Sequence, residues 1–534
     1  MNKIAELSML SHGYKRALIL LVAGAIAGLS VPPLFILPAL FIALPIWVWC
    51  LDGAEKRAGW QRLFGPSFTI GFFFGLGYFL TSLHWIGTAF FVDGGWLLAL
   101  MPFAILALAG FLALFWGFAS LFAHVFWSDS AWRILSLTVF LSIFEFLRSY
   151  LFTGFPFNLV GYSLTLNDQM SQIAAIIGIQ ATSFLAILLG TMLALVWPKD
   201  ERSLFSRLIP AFFIIIVLGA QFSYGQYRIN NTKLIERSDI KLRLVQPAID
   251  QSQKWQANAR DEIIERLISL SKSKLNPNDA GINGVTYIIW PEAAIPFYLS
   301  DFPSYLAQFA VMLPLGKTLI TGAPRKQFSE KQPDKSYNSI LMINSSGEII
   351  SSYDKTHLVP LAEYLPFKNF FEKIGIKQFV PGNEGWEAGK LRKLIQAPGA
   401  PSFLPLICYE AIFSAQLGEE VDSADFILNL TNDGWFDGSI GAKQHFAHTR
   451  IRAIEEGKSL VRVANTGITA LVNPLGQVVA SLNQGEQNVL DVVPLKPLEK
   501  TIFAKYKNQP YFIFLGFLLF ILLVKKMLFR NKNY

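Results

Sequence analysis

Three short segments place a reactive side chain directly after a predicted β-strand. Glu292 follows a strand that ends in Trp-Pro, Lys355 follows Tyr-Asp, and Cys408 follows Leu-Ile. In α/β proteins, ligands bind at the carboxyl ends of strands, so these three side chains can share one site. A thiol can act as nucleophile, a carboxylate as its base, and an ammonium can stabilise an anionic intermediate. The pattern therefore predicts covalent catalysis at Cys408.

Cys408 also has a simpler interpretation. It ends an apolar strand, and a lone cysteine in that position is often a small core residue. We predict that a helix begins at Cys408, and a helix N-terminus lowers the pKa of a thiol and favours the thiolate. From this residue alone, a structural role and a catalytic role both stay open.

The reactive residues belong to a segment in which strands and helices alternate. Predicted strands cover residues 240–245, 285–290, 318–322, 339–344, 349–353, 404–408, 426–430, 460–464 and 469–473. Predicted helices cover residues 261–273, 305–313 and 444–456. Such alternation is typical of an α/β domain.

The rest of the chain is too apolar for a purely soluble protein. Of the 534 residues, 52% are hydrophobic and only 16% are charged, whereas about 25% is usual in soluble domains. A helix needs about 20 apolar residues to cross a bilayer, which predicts about eight spans. The candidate spans are 17–31, 34–50, 66–86, 97–125, 134–151, 171–197, 209–224 and 511–524. Two cysteines exclude a disulfide scaffold.

Basic residues flank these spans on one side only, in every other loop. They are Lys3, Lys15, Arg16, Lys56, Arg57, Arg62, Arg133, Lys199, Arg202, Arg207, Lys525, Lys526, Arg530 and Lys532. The loops around 32–33, 87–96 and 152–170 contain no lysine or arginine. The positive-inside rule then predicts cytoplasmic termini and an α/β domain on the other side of the membrane. The net charge of +8 is thus mostly a topology signal, and no nucleic-acid partner is expected.

The local motifs resemble those of the nitrilase, or carbon–nitrogen hydrolase, superfamily. The matching runs are Trp290-Pro291-Glu292, Tyr353-Asp354-Lys355-Thr356-His357-Leu358, Ile407-Cys408-Tyr409-Glu410 and the run 428–436. The resemblance implies a Glu–Lys–Cys triad of Glu292, Lys355 and Cys408 on an αββα sandwich. It implies no metal and no cofactor.

A nitrilase-like domain inserted between membrane spans resembles the apolipoprotein N-acyltransferases of bacterial inner membranes. The expected fold is a polytopic α-helical membrane domain plus an α/β nitrilase-like αββα sandwich. The expected domains are a membrane domain with about seven helices at 1–225, a catalytic domain facing the periplasm at 226–508, and a last transmembrane helix with a basic tail at 509–534.

The resemblance also implies a reaction and its substrates. A fatty acyl chain would pass from a membrane phospholipid to a thioester on Cys408. It would then pass to the N-terminal α-amine of the S-diacylglyceryl-cysteine of an apolipoprotein. Membrane phospholipid and diacylated apolipoprotein are therefore the expected partners.

Four further positions match the family and are expected to support the site or bind substrate. Glu363 lies in a segment with a second essential glutamate, and Tyr409 and Glu410 follow the nucleophile. Glu410 would orient Lys355 or balance the charge of the site. Trp255 matches a tryptophan at the substrate entrance, although it could also be a packing aromatic.

Other features have more than one interpretation. Glu145 and Arg148, within the fifth span, form either an ion pair or a site for a substrate headgroup. Residues 297–314 and 361–379 are either arms that dip towards lipid or loops that cover the core. His445 and His448 lack a third ligand, so we expect no zinc site.

Two alternatives to acyl transfer remain. The chain could be a membrane-anchored amidase or nitrilase that uses the same triad, although a soluble substrate would not require so many spans. It could also be a transporter or scaffold whose outer domain only binds lipoprotein, in which case Cys408 would be dispensable.

Overall fold

The computed structural model describes residues 1–55, 65–198, 203–328, 334–364, 385–396 and 401–530. The chain divides into two compact units, one formed by Met1–Thr232 with Ile502–Tyr534 and the other by Lys233–Thr501. The basic residues 56, 57, 62, 199, 202 and 532 and most of the segment 361–379 lie outside the described residues.

The first unit is helical. Its α-helices are Asn2–Leu10, Gly13–Ala27, Leu37–Asp52, Pro66–Leu83, Phe90–Asp93, Met101–Val125, Trp132–Arg148, Asp168–Ser171, Ala174–Met192, Leu204–Asn231, Ile502–Tyr506 and Gln509–Arg530. Among the described residues, six segments are long and apolar enough to cross a membrane: Gly13–Ser30, Pro66–Val92, Leu98–Val125, Ala174–Leu195, Leu204–Asn231 and Gln509–Leu528.

The two other predicted spans are also helices, but each is shorter than these six segments. Leu37–Asp52 is apolar but has only 16 residues. Trp132–Arg148 has 17 residues and contains three charged side chains, at positions 133, 145 and 148. The polytopic helical domain is confirmed, and six of its described helices are long and apolar enough to cross a membrane.

Glu145 and Arg148 form a fully buried ion pair at 2.7 Å. The guanidinium donates twice to Glu145 and also to the backbone carbonyl oxygens of Phe155, Phe157 and Asn158. All five of its N–H donors are therefore used within the protein. This geometry favours the ion pair over a headgroup site, and the pair fixes the loop after this helix.

The second unit contains eleven strands among the residues described. They are β1 Leu242–Gln246, β2 Tyr287–Ile289, β3 Thr318–Gln327, β4 Lys335–Asn344, β5 Ile349–Asp354, β6 Phe403–Ile407, β7 Phe426–Thr431, β8 Ser459–Ala464, β9 Thr469–Val472, β10 Val478–Leu482 and β11 Asn488–Val492. Its α-helices are Gln251–Lys254, Arg260–Lys272, Pro303–Met312 and Gly441–Glu456.

The strands form two sheets. One has the order β11-β1-β2-β3-β4-β5 and the other the order β10-β9-β8-β7-β6. Strands β1, β2 and β3 are parallel, as are β6, β7 and β8, while the remaining pairs are antiparallel. Because β5 pairs antiparallel with β4, which itself runs against β3, β5 ends at the same sheet edge as β2.

The two sheets pack face to face. A buried apolar cluster joins Leu244 and Ile289 of the first sheet to Leu428 and Val463 of the second. The helices Arg260–Lys272 and Pro303–Met312 cover the outer face of the first sheet. Ala453, on the helix Gly441–Glu456, packs against the outer face of the second sheet. The αββα sandwich is thereby confirmed.

Two predictions about local structure differ from the fold. Residues 297–314 are not an arm, because Phe297, Tyr305 and Phe309 are buried in the core of the first sheet. The strands β10 and β11 were also not predicted from the sequence. These strands are short and half-exposed, so they lack the buried apolar run on which the other predictions rested.

Candidate active site

Glu292 lies just beyond the end of β2. The strand is buried between β1 and β3, and Trp290 anchors its end with an indole N–H bond of 2.9 Å to Ser271 Oγ. A turn follows in which Ala293 has a φ of +47°. This turn passes so close to β3 that a Cβ on Gly322 would lie 2.6 Å from Glu292 Cα. The backbone of Glu292 is thus fixed against β3.

The carboxylate of Glu292 has three polar neighbours. Asn338 Nδ2 donates to Oε1 at 2.8 Å, and the backbone N–H of Asn432 donates to Oε2 at 2.8 Å. Lys355 Nζ lies 3.6 Å from Oε1. The structure therefore places two of the predicted catalytic side chains next to each other.

Lys355 follows β5 and is buried between two carboxylates. Its ammonium lies 2.9 Å from Glu363, and the Nδ2 of Asn338 bridges Glu363 and Glu292 at 3.1 and 2.8 Å. Burial alone would lower the pKa of Lys355, but Glu363 and Glu292 raise it above its ordinary value. Lys355 is therefore a permanent cation that can stabilise an oxyanion.

Cys408 follows β6 and has a φ of +48°, which is unusual for a residue with a side chain. Its carbonyl oxygen faces Asn429 Nδ2 at 3.5 Å and His445 Nε2 at 3.2 Å. Burial raises the pKa of the Cys408 thiol, the charge of Glu292 raises it further, and Lys355 only partly offsets both. The raised pKa keeps the Cys408 thiol protonated, so Cys408 needs a base before it can act as the predicted nucleophile.

The segment after Cys408 differs from its prediction. Residues Cys408–Ile412 form a short 3₁₀ turn rather than the start of an α-helix. The thiol therefore gains no thiolate stabilisation from an α-helix, and burial dominates its pKa.

Glu410 is fully buried and acts on the backbone of the site. Its Oε2 accepts from the Ile407 N–H at 2.7 Å, and its Oε1 accepts from the Thr356 N–H at 2.8 Å. Arg392 pairs with it at 3.2 Å. Burial would raise the pKa of Glu410, but Arg392 and these hydrogen bonds lower it. Glu410 thus ties the residue before Cys408 to the residue after Lys355, without contacting the Lys355 ammonium.

The two aromatic residues expected at the site have different environments. Tyr409 is buried, and its ring lies 5.0 Å from Phe413 and 5.9 Å from His357. Trp255 is half-buried, directly after the helix Gln251–Lys254. Its indole N–H is buried without a hydrogen-bond partner among the described residues.

A buried ionic cluster lies next to Cys408. Asp433 accepts from Arg462 at 2.7 Å and contacts His445 Nδ1 at 2.9 Å. The Cys408, Asp433 and His445 ligand atoms lie within 4.8 Å of one another, as a metal site would require. Both nitrogens of His445 already face protein atoms, however. The arrangement fits a hydrogen-bonded support for Cys408.

Three residues of the site were not found from the sequence: Asn338, Lys254 and Arg462. Asn338 lies on β4, whose antiparallel pairing with β5 brings it beside Lys355, as the 2.9 Å bond from Lys355 N to its carbonyl shows. Lys254 and Arg462 are charged residues buried in the fold. The only sequence signal for these two residues is where they stand in the chain. Lys254 directly precedes Trp255, and Arg462 lies within a mostly apolar strand.

Comparison with known proteins finds a matching family model for each of the two units. The model of the carbon–nitrogen hydrolase family matches residues 241–493, and that of the apolipoprotein N-acyltransferase N-terminal domain matches residues 23–192. An apolipoprotein N-acyltransferase of Rhodopseudomonas palustris is 38% identical over 98% of each chain. Another, of Brucella suis biovar 1, is 38% identical over 92% of this chain and 91% of its own.

The fold, the site and the comparisons first define the class of protein to which this chain belongs. The chain is a membrane protein with a catalytic unit of the carbon–nitrogen hydrolase type. Within that class, it belongs to the apolipoprotein N-acyltransferase family.

Proposed function

We propose that this acyltransferase moves a fatty acyl chain from a membrane phospholipid to the N-terminal α-amine of a diacylated apolipoprotein. The observation that carries the proposal is the half-buried, protonated thiol of Cys408 beside the Glu292–Lys355 pair, whose charges are 3.6 Å apart. A neutral thiol needs a base before it can attack, and Glu292 supplies one.

In the first step, Glu292 takes the proton of Cys408, and the sulfur attacks an ester carbonyl of the phospholipid. The oxyanion forms beside the Lys355 ammonium. When the C–O bond breaks, Glu292 returns the proton to the departing oxygen. The products are a lysophospholipid and an S-acyl thioester on Cys408.

In the second step, the amine of S-diacylglyceryl-cysteine attacks the thioester carbonyl. Glu292 accepts a proton from the amine, the C–S bond breaks, and the sulfur of Cys408 recovers a proton. The product is an N-acylated, triacylated lipoprotein. Water must be kept from the thioester between the two steps.

The membrane unit supports a lipid substrate. Extracting an acyl chain from the bilayer costs about 0.8 kcal/mol per CH₂ group. An enzyme that acts on two lipidated substrates therefore benefits from being embedded beside them. The alternation of basic flanks supports placing the catalytic unit on the periplasmic side of the inner membrane, with both termini in the cytoplasm.

The decisive assay supplies phospholipid and a diacylglyceryl-cysteine peptide to the full chain in detergent. We expect an N-acylated peptide from the wild type and from Cys50→Ala, the matched cysteine control in a membrane helix. Cys408→Ala should give none. N-acylation by Cys408→Ala would contradict the mechanism, and hydrolysis of small amides without acyl transfer would favour the amidase alternative.

A further inference from the structure

Lys254 is a second buried lysine at the active site. It ends the short helix Gln251–Lys254, its side chain is inaccessible to solvent, and its Nζ donates to the backbone carbonyl of Glu292 at 3.2 Å. That carbonyl is the one hydrogen-bond partner that the described part of the chain offers this ammonium. A buried ammonium is costly unless a nearby charge compensates it.

The compensating charge lies in the pair of carboxylates around Asn338. Glu292 and Glu363 both accept from the same Asn338 nitrogen, at 2.8 and 3.1 Å. Both carboxylates are buried, and their negative charges repel each other. Lys355 supplies one positive charge, which leaves the group one negative charge in excess. Lys254 supplies the second positive charge.

We propose that Lys254 is a positioning residue that holds the Glu292 backbone and supplies the second positive charge of this group, so that Glu292 can accept the Cys408 proton. This role rests on the proposed function of Glu292 as the base. The titratable groups that face Glu292 are Lys254, Lys355, Cys408 and, through Asn338, Glu363.

The pH range in which Lys254 affects the acylation rate follows from the burial of its ammonium. Burial lowers the pKa of Lys254 to about 8, although the charge of Glu292 acts to raise it. Below this pH the wild type carries the second positive charge. Above it, the wild type loses that charge and comes to resemble a variant without the lysine.

The test measures the rate of Cys408 acylation by phospholipid from pH 6 to 9 in the full chain. Lys254→Met removes the charge and the donor, whereas Lys254→Gln removes only the charge. We expect both variants to acylate about tenfold more slowly than wild type at pH 7, the effect of one unit in protonation equilibrium. For Lys254→Gln the difference should vanish above about pH 8, where Lys254 loses its own proton, whereas Lys254→Met should keep the part that is due to the lost donor.

Lys458→Met is the matched control. Lys458 is another buried lysine, and it donates to the backbone carbonyls of Asp422 and Ala424. It directly precedes β8, at the sheet edge opposite to Cys408. Its replacement should leave the acylation profile unchanged.

The outcomes separate this proposal from the one on which it rests. If wild type forms no acyl-enzyme, the proposed function fails. If wild type is acylated and Lys254→Gln matches it at every pH, the role of Lys254 is overturned. A loss of equal size at every pH, or failure of both variants to fold, would make Lys254 purely structural and would also overturn it.

Discussion

At the scale of single residues, the candidate site is a set of buried charged side chains that hold one another in place. Asn338 joins Glu292 to Glu363, and Glu363 holds Lys355 at 2.9 Å, closer than the 3.6 Å that separates Lys355 from Glu292. Glu363 therefore keeps the ammonium from forming a close ion pair with the base. This separation leaves Glu292 available for the Cys408 proton.

Glu363→Gln tests that role. Without the Glu363 charge, the Lys355 ammonium should move towards Glu292 and make it a poorer base. We expect the rate of acylation at saturating phospholipid to fall by about tenfold to a hundredfold, as when one electrostatic contact is lost from an active site. The KM for phospholipid should change little. Glu348→Gln, on the exposed turn between β4 and β5, is the control; equal rates in both variants would contradict this role.

At the scale of elements, the site depends on how strand ends are held together. Glu410 connects Ile407 at the end of β6 to Thr356 beyond β5, so one carboxylate spans the two sheets. Gly322 allows β3 to touch the turn that carries Glu292. Both contacts join segments that are remote in sequence, Glu410 to Thr356 and Gly322 to Glu292.

Glu410→Gln should change how stability depends on pH. The pKa of Glu410 is lower in the folded state than its ordinary value of 4.5. Its contribution to stability is therefore complete above pH 4.5 and is lost as the pH falls through the folded-state pKa. We expect the variant to be less stable by about 3 kcal/mol at pH 7, as for a broken buried pair. The gap should narrow below pH 4 in melting curves; a gap that is constant with pH would refute the assignment.

Gly322→Ala should disturb the turn rather than the chemistry. A Cβ there would lie 2.5 Å from Ala293 N and 2.6 Å from Glu292 Cα, so the turn must shift. We expect a loss of about 1–3 kcal/mol in stability, typical of overpacking, and an acylation rate reduced by more than the stability loss explains. Gly219→Ala, in open space on a membrane helix, is the control. A wild-type acylation rate in Gly322→Ala would show that the turn tolerates movement.

The strands that carry the motifs were predictable from sequence, but the contacts between them were not. Glu292, Lys355 and Cys408 each follow an apolar run and a recognisable motif. Asn338 lies on β4 with no local signal, and its place beside Lys355 follows from the antiparallel register of β4 and β5. Nothing in the sequence marks Lys254 as buried, because only the folded chain shows its burial. The strands β10 and β11 were not predicted because they are short and only partly buried.

At the scale of the whole molecule, the function needs a membrane unit and a catalytic unit in one chain. Each unit matches its own family model, and the full-length relatives combine both. The basic residues beside the helices predict which side of the membrane each loop faces.

Cysteine labelling in intact cells tests this orientation. Both native cysteines are replaced by alanine, and a single cysteine is placed at Ser300 of the catalytic unit or at Ser130 between two membrane helices, both exposed positions. Once the outer membrane is opened, a membrane-impermeant maleimide should label position 300 directly. Position 130 should react only after the inner membrane is permeabilised. The reverse pattern would invert the topology.

The most direct test of the central claim is the intact mass of the full chain after exposure to phospholipid without an acceptor. We predict that wild type gains the mass of one fatty acyl chain, that hydroxylamine removes it, and that it maps to the peptide containing Cys408. Cys408→Ser should carry no thioester, and adding the diacylated peptide should discharge the wild-type adduct. A wild-type chain that N-acylates the peptide yet never carries an acyl group on Cys408 would contradict the account.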